Sequence, residues 1–224
     1  MPATIDVHGS TKRVLMVVSN PTTSQQTGWP IGFWWAELTH PYWEFTEAGF
    51  EVVIASPDGG ALAADSFSDP ADPSGYSAHD LVSRGFIASP DHARLVENTP
   101  ALEAVDEASF DAVFLVGGQA PMYTFRHDQR VKDLVGRFVA RRRKVTAVVC
   151  HATCVLLDAT TTRRRARGSR SHLDRLRQLE EAFADEFVGQ RIQPFWIEDE
   201  AARLLGHELR RPRPLPSMPC ATAT

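Results

Sequence analysis

Cysteine is scarce in this chain, with 3 in 224 residues, and the odd count argues against a framework of disulfides. The start, Met1-Pro-Ala-Thr-Ile-Asp6, has no basic stretch followed by an apolar one, and no apolar run approaches the length of a membrane span. Charge of one sign is also lacking: a formal net charge of -4 and a pI near 6.1 give no general nucleic-acid footprint. His40 and His127 do not stand at metal-ligand spacing with Glu37. These absences lead to the expectation of a cytoplasmic protein, with thiols that are catalytic or structural, no membrane partner, no nucleic-acid partner and no metal.

The informative stretch is Lys144 to Leu157. Val145 to Val149 have the composition of a strand buried on both faces, as in the middle of a parallel sheet, and they run straight into Cys150. Small residues and then Val155, Leu156 and Leu157 suit a helix that begins at once. So tight a corner forces Cys150 into a strained conformation above the carboxyl edge of the sheet, where a helix amino terminus favours thiolate. The same local pattern also describes an inert buried thiol, because free Cys is among the most buried residue types.

The rest of the chain supplies the frame. Arg13 to Ser19, Glu51 to Ser56 and Asp111 to Leu115 read as further strands, the last ending in Gly117-Gly118. Helices are expected over 33–48, bent or divided at Pro41, and over 129–143, with Val131, Leu134, Val135 and Phe138 on one face. Residues 61–77, rich in Asp, Ser, Pro and Gly, read as a solvated loop. The alternation of strand and helix predicts an α/β fold, a doubly wound, mostly parallel sheet with helices on both faces. Asn20, Gly117-Gly118 and Cys150 then meet at the strand carboxyl ends, where such sheets bind ligands.

Three boundaries follow: a flexible arm over 1–11, a single domain over 12–206, and a Pro-rich, poorly ordered tail over 207–224. Within the domain, 160–178 is atypical: Arg163 to Arg177 has no apolar alternation and reads as a basic loop without the aromatic interleaving of a nucleic-acid site.

Several pieces taken together resemble a known family. They are Thr27-Gly28, Phe33-Trp-Trp-Ala-Glu37-Leu-Thr-His40-Pro41-Tyr42, Phe45 to Val52, Ala55-Ser-Pro-Asp-Gly-Gly60, Val116-Gly117-Gly118 and Val149-Cys150-His151. In this order they are similar to the ThiJ/PfpI superfamily, which has the flavodoxin-like, class I glutamine-amidotransferase-like fold. The resemblance is to its branch of heat-inducible chaperones and glutathione-independent glyoxalases. It implies Cys150 as nucleophile, His151 as base or proton shuttle, and Glu37 as an acid approaching the thiol from the first helix. It further implies a late acidic residue, Glu180 or Glu181, as orienter of His151. Gly117 and Gly118, with the backbone at Ala152, are the implied oxyanion and substrate-binding positions. Relatives commonly have Gly where this chain has Ala152, and a His-Gly sequence where it has Gln119-Ala120.

The implied activity is conversion of a 2-oxoaldehyde to a 2-hydroxy acid without glutathione, on a small carbonyl substrate, by a homodimer needing no cofactor. The alternatives within the resemblance are a stress-related holding chaperone, using surface near Trp29, Trp34 and Trp35, and an amidase-like, peptidase-like or isonitrile-hydratase-like cysteine hydrolase. Cys154, close behind Cys150, reads either as a resolving thiol or as a packed one.

Overall fold

The chain begins its fold with strand β1 (Arg13–Val17), four of whose five residues are buried and which therefore takes the interior of the sheet. Parallel partners flank it on both sides, β4 (Glu51–Ala55) and β5 (Ala112–Leu115), and β6 (Val145–Val148) pairs with the far side of β5, giving the order β4-β1-β5-β6. A short antiparallel pair, β2 (Thr22–Thr23) and β3 (Pro30–Ile31), lies in the connection after β1. This is a computed structural model; it describes residues 11–158 and 178–205. The expectations for the amino-terminal arm, the Arg-rich segment and the Pro-rich tail lie outside those residues, apart from single positions at their margins.

The period-2 alternation of β1 divides the core between two faces. Leu15 and Val17 point into one cluster with Val113, Leu115 and the α4 (Gln129–Ala140) residues Val131, Leu134, Val135 and Phe138. Val14 and Met16 point into the other, against Leu38 of α1 (Trp35–Glu47), Phe86 of α2 (Leu81–Ala88) and Val96 of α3 (Pro90–Glu97). Both faces of the sheet are covered by helices, so the fold is the doubly wound α/β architecture of flavodoxin type. Three further α-helices follow among the described residues: α5 (Val155–Asp158), α6 (Gln178–Val188) and α7 (Ile197–Leu205). None of the described helices is long and apolar enough to cross a membrane.

Register fixes the site. Val17 lies opposite Leu115, and Leu115 opposite Val148, so the residues that follow these three strands leave the sheet at one edge.

Three expectations are corrected. β6 is the end strand of the described sheet, and Val145 is 60% exposed, so the Cys150 strand is not a middle strand. Its apolar composition announces a strand, but order within a sheet is set by which partner it pairs with. Pro41 does not divide the first helix, which runs unbroken over Trp35–Glu47. Proline removes one backbone bond, at about 3 kcal/mol in a helix interior, and the buried face of α1 offsets it: Leu38 is fully buried, and Thr39 shares a 2.8 Å hydrogen bond with Ser83 of α2.

The stretch 61–77 is not simply solvated. Phe33 N–H donates to Ala63 O at 3.2 Å and Asp65 N–H to Phe33 O at 2.8 Å, pinning the segment alongside the approach to α1. Asp65 and Ser68 are buried as a result.

Candidate active site

Cys150 follows β6 with φ +49, the sole described non-glycine residue in the left-handed region. A non-glycine side chain held there is strained and persists only where the surrounding fold over-determines it. Here the determinants are visible: Val149 N–H donates to Leu115 O at 3.2 Å, and a tight turn from Cys150 to Cys154 begins immediately, with Thr153 Oγ1 donating to Cys150 O at 2.7 Å. The strained corner expected from the sequence is present.

The expected electrostatics need revision. The helix after Cys150 is a single short turn, Val155–Asp158, and burial pushes the Cys150 thiol up rather than down. The Glu37 carboxyl and the backbone N–H groups of His151 and Gly118 face the sulfur and act in the opposite direction, favouring its anion. At the sulfur, burial and these polar neighbours thus act against one another, with burial the larger influence.

Glu37 lies in the first turn of α1, aimed at this thiol. Burial raises its carboxyl well above the usual range, and the nearby Cys150 raises it further, against the pull of His151 and the Gly117 backbone. Its Oε2 is buried and lacks a well-aligned hydrogen-bond partner.

Gly117 makes this closeness possible. A methyl group added to its Cα would collide with Glu37 Oε2 and sit 2.8 Å from both Cys150 Cβ and Val149 O. Gly117→Ala is expected to cost about 2–3 kcal/mol by overpacking, seen as a melting temperature lower by roughly 5–10 °C. A variant as stable as the parent would show the glycine is not needed for fit.

Gly118 adopts φ +110, and its Cα meets the backbone of Gly32 and Phe33 so closely that a Cβ would lie 2.6 Å from Gly32 O. That fold of the chain turns Gly118 N–H towards the sulfur. Ala152 is placed otherwise than expected: its methyl is fully buried in the core beside Leu15 and Val155, and its N–H donates to Val149 O at 3.1 Å. Its backbone donor is committed within the turn, so Gly118 and His151 supply the N–H groups at the sulfur.

His151 is buried, and its Nε2 has no hydrogen-bond partner; Glu181 Oε1 lies 3.9 Å away. Glu181, on α6, is fully buried and accepts from Ile197 N–H at the start of α7 at 3.3 and 3.2 Å through its two oxygens. Of the two late acidic candidates, Glu181 is thus the one brought to His151. The side chain of Glu180 lies outside the described residues. Burial pushes Glu181 up to about 7, against the pull of His151.

Asp65 was not found from the sequence. It is 6% exposed, accepts from Gly32 N–H at 2.9 Å and Gln119 N–H at 2.7 Å, and burial raises it to about 6. Its charge is felt by both Cys150 and His151. His151 accordingly sits among three buried carboxyls, those of Glu37, Asp65 and Glu181. The only local hint was the apolar run Leu62-Ala63-Ala64 just before Asp65, which marks a segment able to lie against a core.

The other candidates are accounted for structurally. Asn20 is spent on its neighbours, donating to Gly59 O at 2.9 Å and accepting from Asp58 N–H at 2.9 Å. Cys154 is buried and its Sγ lies 3.3 Å from Pro121 O, a packed thiol. His40 pairs with Asp80 at 2.8 Å on the surface. Among the described residues no cluster of His, Cys, Asp and Glu could hold a metal ion.

Ionised Glu181 carries a measurable cost. Its folded value of about 7 exceeds the ordinary 4.5, so its contribution to stability is fully present below about pH 4.5 and is lost as pH rises through 7. Glu181→Gln is expected to stabilise the protein at pH 8 by on the order of 2 kcal/mol, with little effect at pH 4. If Glu181 also positions His151, the same change flattens the pH dependence of activity near 7. Thermal melts at both pH values and a pH profile check this; destabilisation at pH 8 would contradict it.

A strand-to-helix corner bearing a strained cysteine, beside a buried glutamate carboxyl and a histidine, defines a class of cysteine proteins on flavodoxin-type sheets. The chain belongs to the DJ-1/PfpI family, whose model matches residues 32–194. The Francisella tularensis Rapid Encystment Protein 24 kDa superposes with TM-score 0.69 at 23% identity, over 87% of this chain and 81% of that one. A second crystallographically solved protein is 30% identical with TM-score 0.68, over 91% and 84% of the two chains. Glyoxalase III from Candida albicans superposes with TM-score 0.62 at 15% identity, over 91% and 84%. No curated protein matches the chain.

Proposed function

We propose that the protein converts 2-oxoaldehydes to 2-hydroxy acids without glutathione, using Cys150 as nucleophile. The single observation that carries this reading is the grouping of a strained thiol with a carboxyl that burial pushes towards its protonated form and a buried imidazole whose Nε2 makes no hydrogen bond. Isomerising a 2-oxoaldehyde requires one group to add to the aldehyde and others to move a proton between adjacent carbons, and these side chains supply both.

In the first step His151 takes the thiol proton, sulfur bonds to the aldehyde carbon, and Glu37 gives its proton to the aldehyde oxygen, forming a hemithioacetal. His151 then passes its proton to Glu37 and removes the proton from the former aldehyde carbon. The resulting enediolate takes that proton back from His151 on the neighbouring carbon, while the hydroxyl proton on the former aldehyde oxygen moves to the neighbouring oxygen; the neighbouring carbon becomes the carbinol and the former aldehyde carbon a thioester. The N–H groups of Gly118 and His151 offset the charge on oxygen during these steps. Water cleaves the thioester, releasing the 2-hydroxy acid and restoring the thiol. One carbon is oxidised and its neighbour reduced, so no external oxidant or reductant is needed.

Purified protein is expected to form lactate from methylglyoxal in glutathione-free buffer. Run in deuterium oxide, the product should carry solvent deuterium on its carbinol carbon, because the migrating proton passes through exchangeable groups. Lactate without deuterium there would point to a direct hydride shift and overturn the proton-shuttle roles. Hydrolysis of peptides or isonitriles by the same thiol is the second enzymatic reading, and a panel of those substrates separates the two.

The chaperone reading gains less support. Trp35 packs against Phe33, with ring centroids 4.8 Å apart, and of the three tryptophans only Trp29 is exposed, at 41%.

A further inference from the structure

A cavity of about 430 Å³ draws its walls from distant parts of the chain, among them the connection after β1, the Ala63–Phe67 segment, Tyr76, Gln119 and α6. Its lining is dominated by aromatic rings, among them Trp29, Trp34, Phe67, Tyr76, Phe183 and Phe187. They are arranged edge to face: Trp34 and Tyr76 centroids stand 5.8 Å apart at 88°, Tyr76 and Phe187 5.2 Å apart at 66°, and Phe67 and Phe187 6.1 Å apart at 79°. Tyr76, Phe183 and Phe187 remain more than half exposed, which folding alone does not account for.

One end of this cavity is the active site's own wall. Asp65 and Gln119 line it, joined by a 2.7 Å hydrogen bond, and Gln119 directly follows Gly118, whose N–H faces the Cys150 sulfur. Cys150 itself does not line the cavity. The remaining atoms of a molecule whose carbonyl meets the thiol would reach the aromatic space by passing Asp65 and Gln119. A triose-sized aldehyde would leave that space empty, whereas cavities of about 300–1,000 Å³ suit ligands of drug-like size.

We infer that this cavity holds the aromatic substituent of the substrate, so that the preferred substrates are aryl-substituted 2-oxoaldehydes. This rests on the proposed reaction at Cys150 and names its substrate class. Rings set edge to face leave room for a flat ring to enter in the same geometry, and each such contact adds specificity beyond burial. A hydrophobic pocket of this kind discriminates by about 10–200-fold for a group it accommodates.

Two measurements test it. The first compares kcat/KM for phenylglyoxal and methylglyoxal: the expected preference for phenylglyoxal is at least about tenfold, falling towards unity in Phe187→Ala and in Tyr76→Leu. The second reads binding alone, by quenching of tryptophan emission, since Trp29 and Trp34 face the cavity. Mandelate is expected to saturate the signal at a concentration at least about tenfold lower than lactate, and Phe187→Ala should remove the difference. Mandelate binding no tighter than lactate overturns the inference whatever the turnover, as does equal kcat/KM for the two aldehydes. Selective mandelate binding without turnover of either aldehyde would retain the aromatic site and withdraw the reaction assigned to Cys150.

Discussion

Replacement of Cys150 by alanine is expected to lower 2-hydroxy acid formation by about 10⁴-fold or more, to the limit of detection, with the protein still folded. The expectation follows from position as much as from chemistry. Alanine keeps a β-carbon at φ +49 and so keeps the strained corner, while the atom that would bond to the aldehyde is gone. No neighbour can replace it: Cys154 is buried with its sulfur turned to Pro121 O. Serine at position 150 should be nearly as poor, because its hydroxyl ionises far less readily than a thiol in the same buried setting. Melting curves for both variants separate loss of chemistry from loss of fold. Turnover within tenfold of the parent would show that the reaction does not pass through this sulfur.

Glu37→Gln carries the second large effect, about 10²–10³-fold in kcat. Glutamine preserves the size of the side chain in the gap left by Gly117 and can accept a hydrogen bond, but it has no proton to exchange with the aldehyde oxygen. The linked stability change has the opposite sign. Because burial holds the folded Glu37 well above its unfolded value, its contribution is present at low pH and lost as pH rises through the folded value. The glutamine variant should therefore be slower yet more resistant to unfolding at alkaline pH. A fall in activity through KM alone, with kcat unchanged, would make Glu37 a binding group instead of a proton carrier.

Of these two residues, Cys150 is legible along the chain, because an apolar run ends on it at a strand-to-helix corner, whereas Glu37 stands out only through the family resemblance. Gly117 and Gly118 belong with Cys150, since paired glycines after a strand mark a close approach of backbone. Asp65 could not be read this way. Its neighbours Ser66, Ser68, Asp69 and Pro70 spell a loop, and only the N–H groups of Gly32 and Gln119, far off in sequence, make it a buried carboxylate. The aromatic cavity was hidden for the same reason, since Tyr76 and Phe187 meet only in the folded state. The place of β6 at the end of the described sheet is likewise a fact of pairing rather than composition. The part of Glu181 needed the fold in place, since what marks it out is its carboxyl 3.9 Å from His151 Nε2.

The central claim is that Cys150 bonds to the substrate during turnover. Acid-quenched reactions with phenylglyoxal, digested and analysed by mass spectrometry, test it directly. The account predicts a hemithioacetal or thioester adduct on the peptide carrying Cys150, placed on that sulfur by fragmentation and absent from Cys150→Ala. Rapid product formation with the Cys150 thiol free at every time point, or an adduct only at another residue, would contradict it.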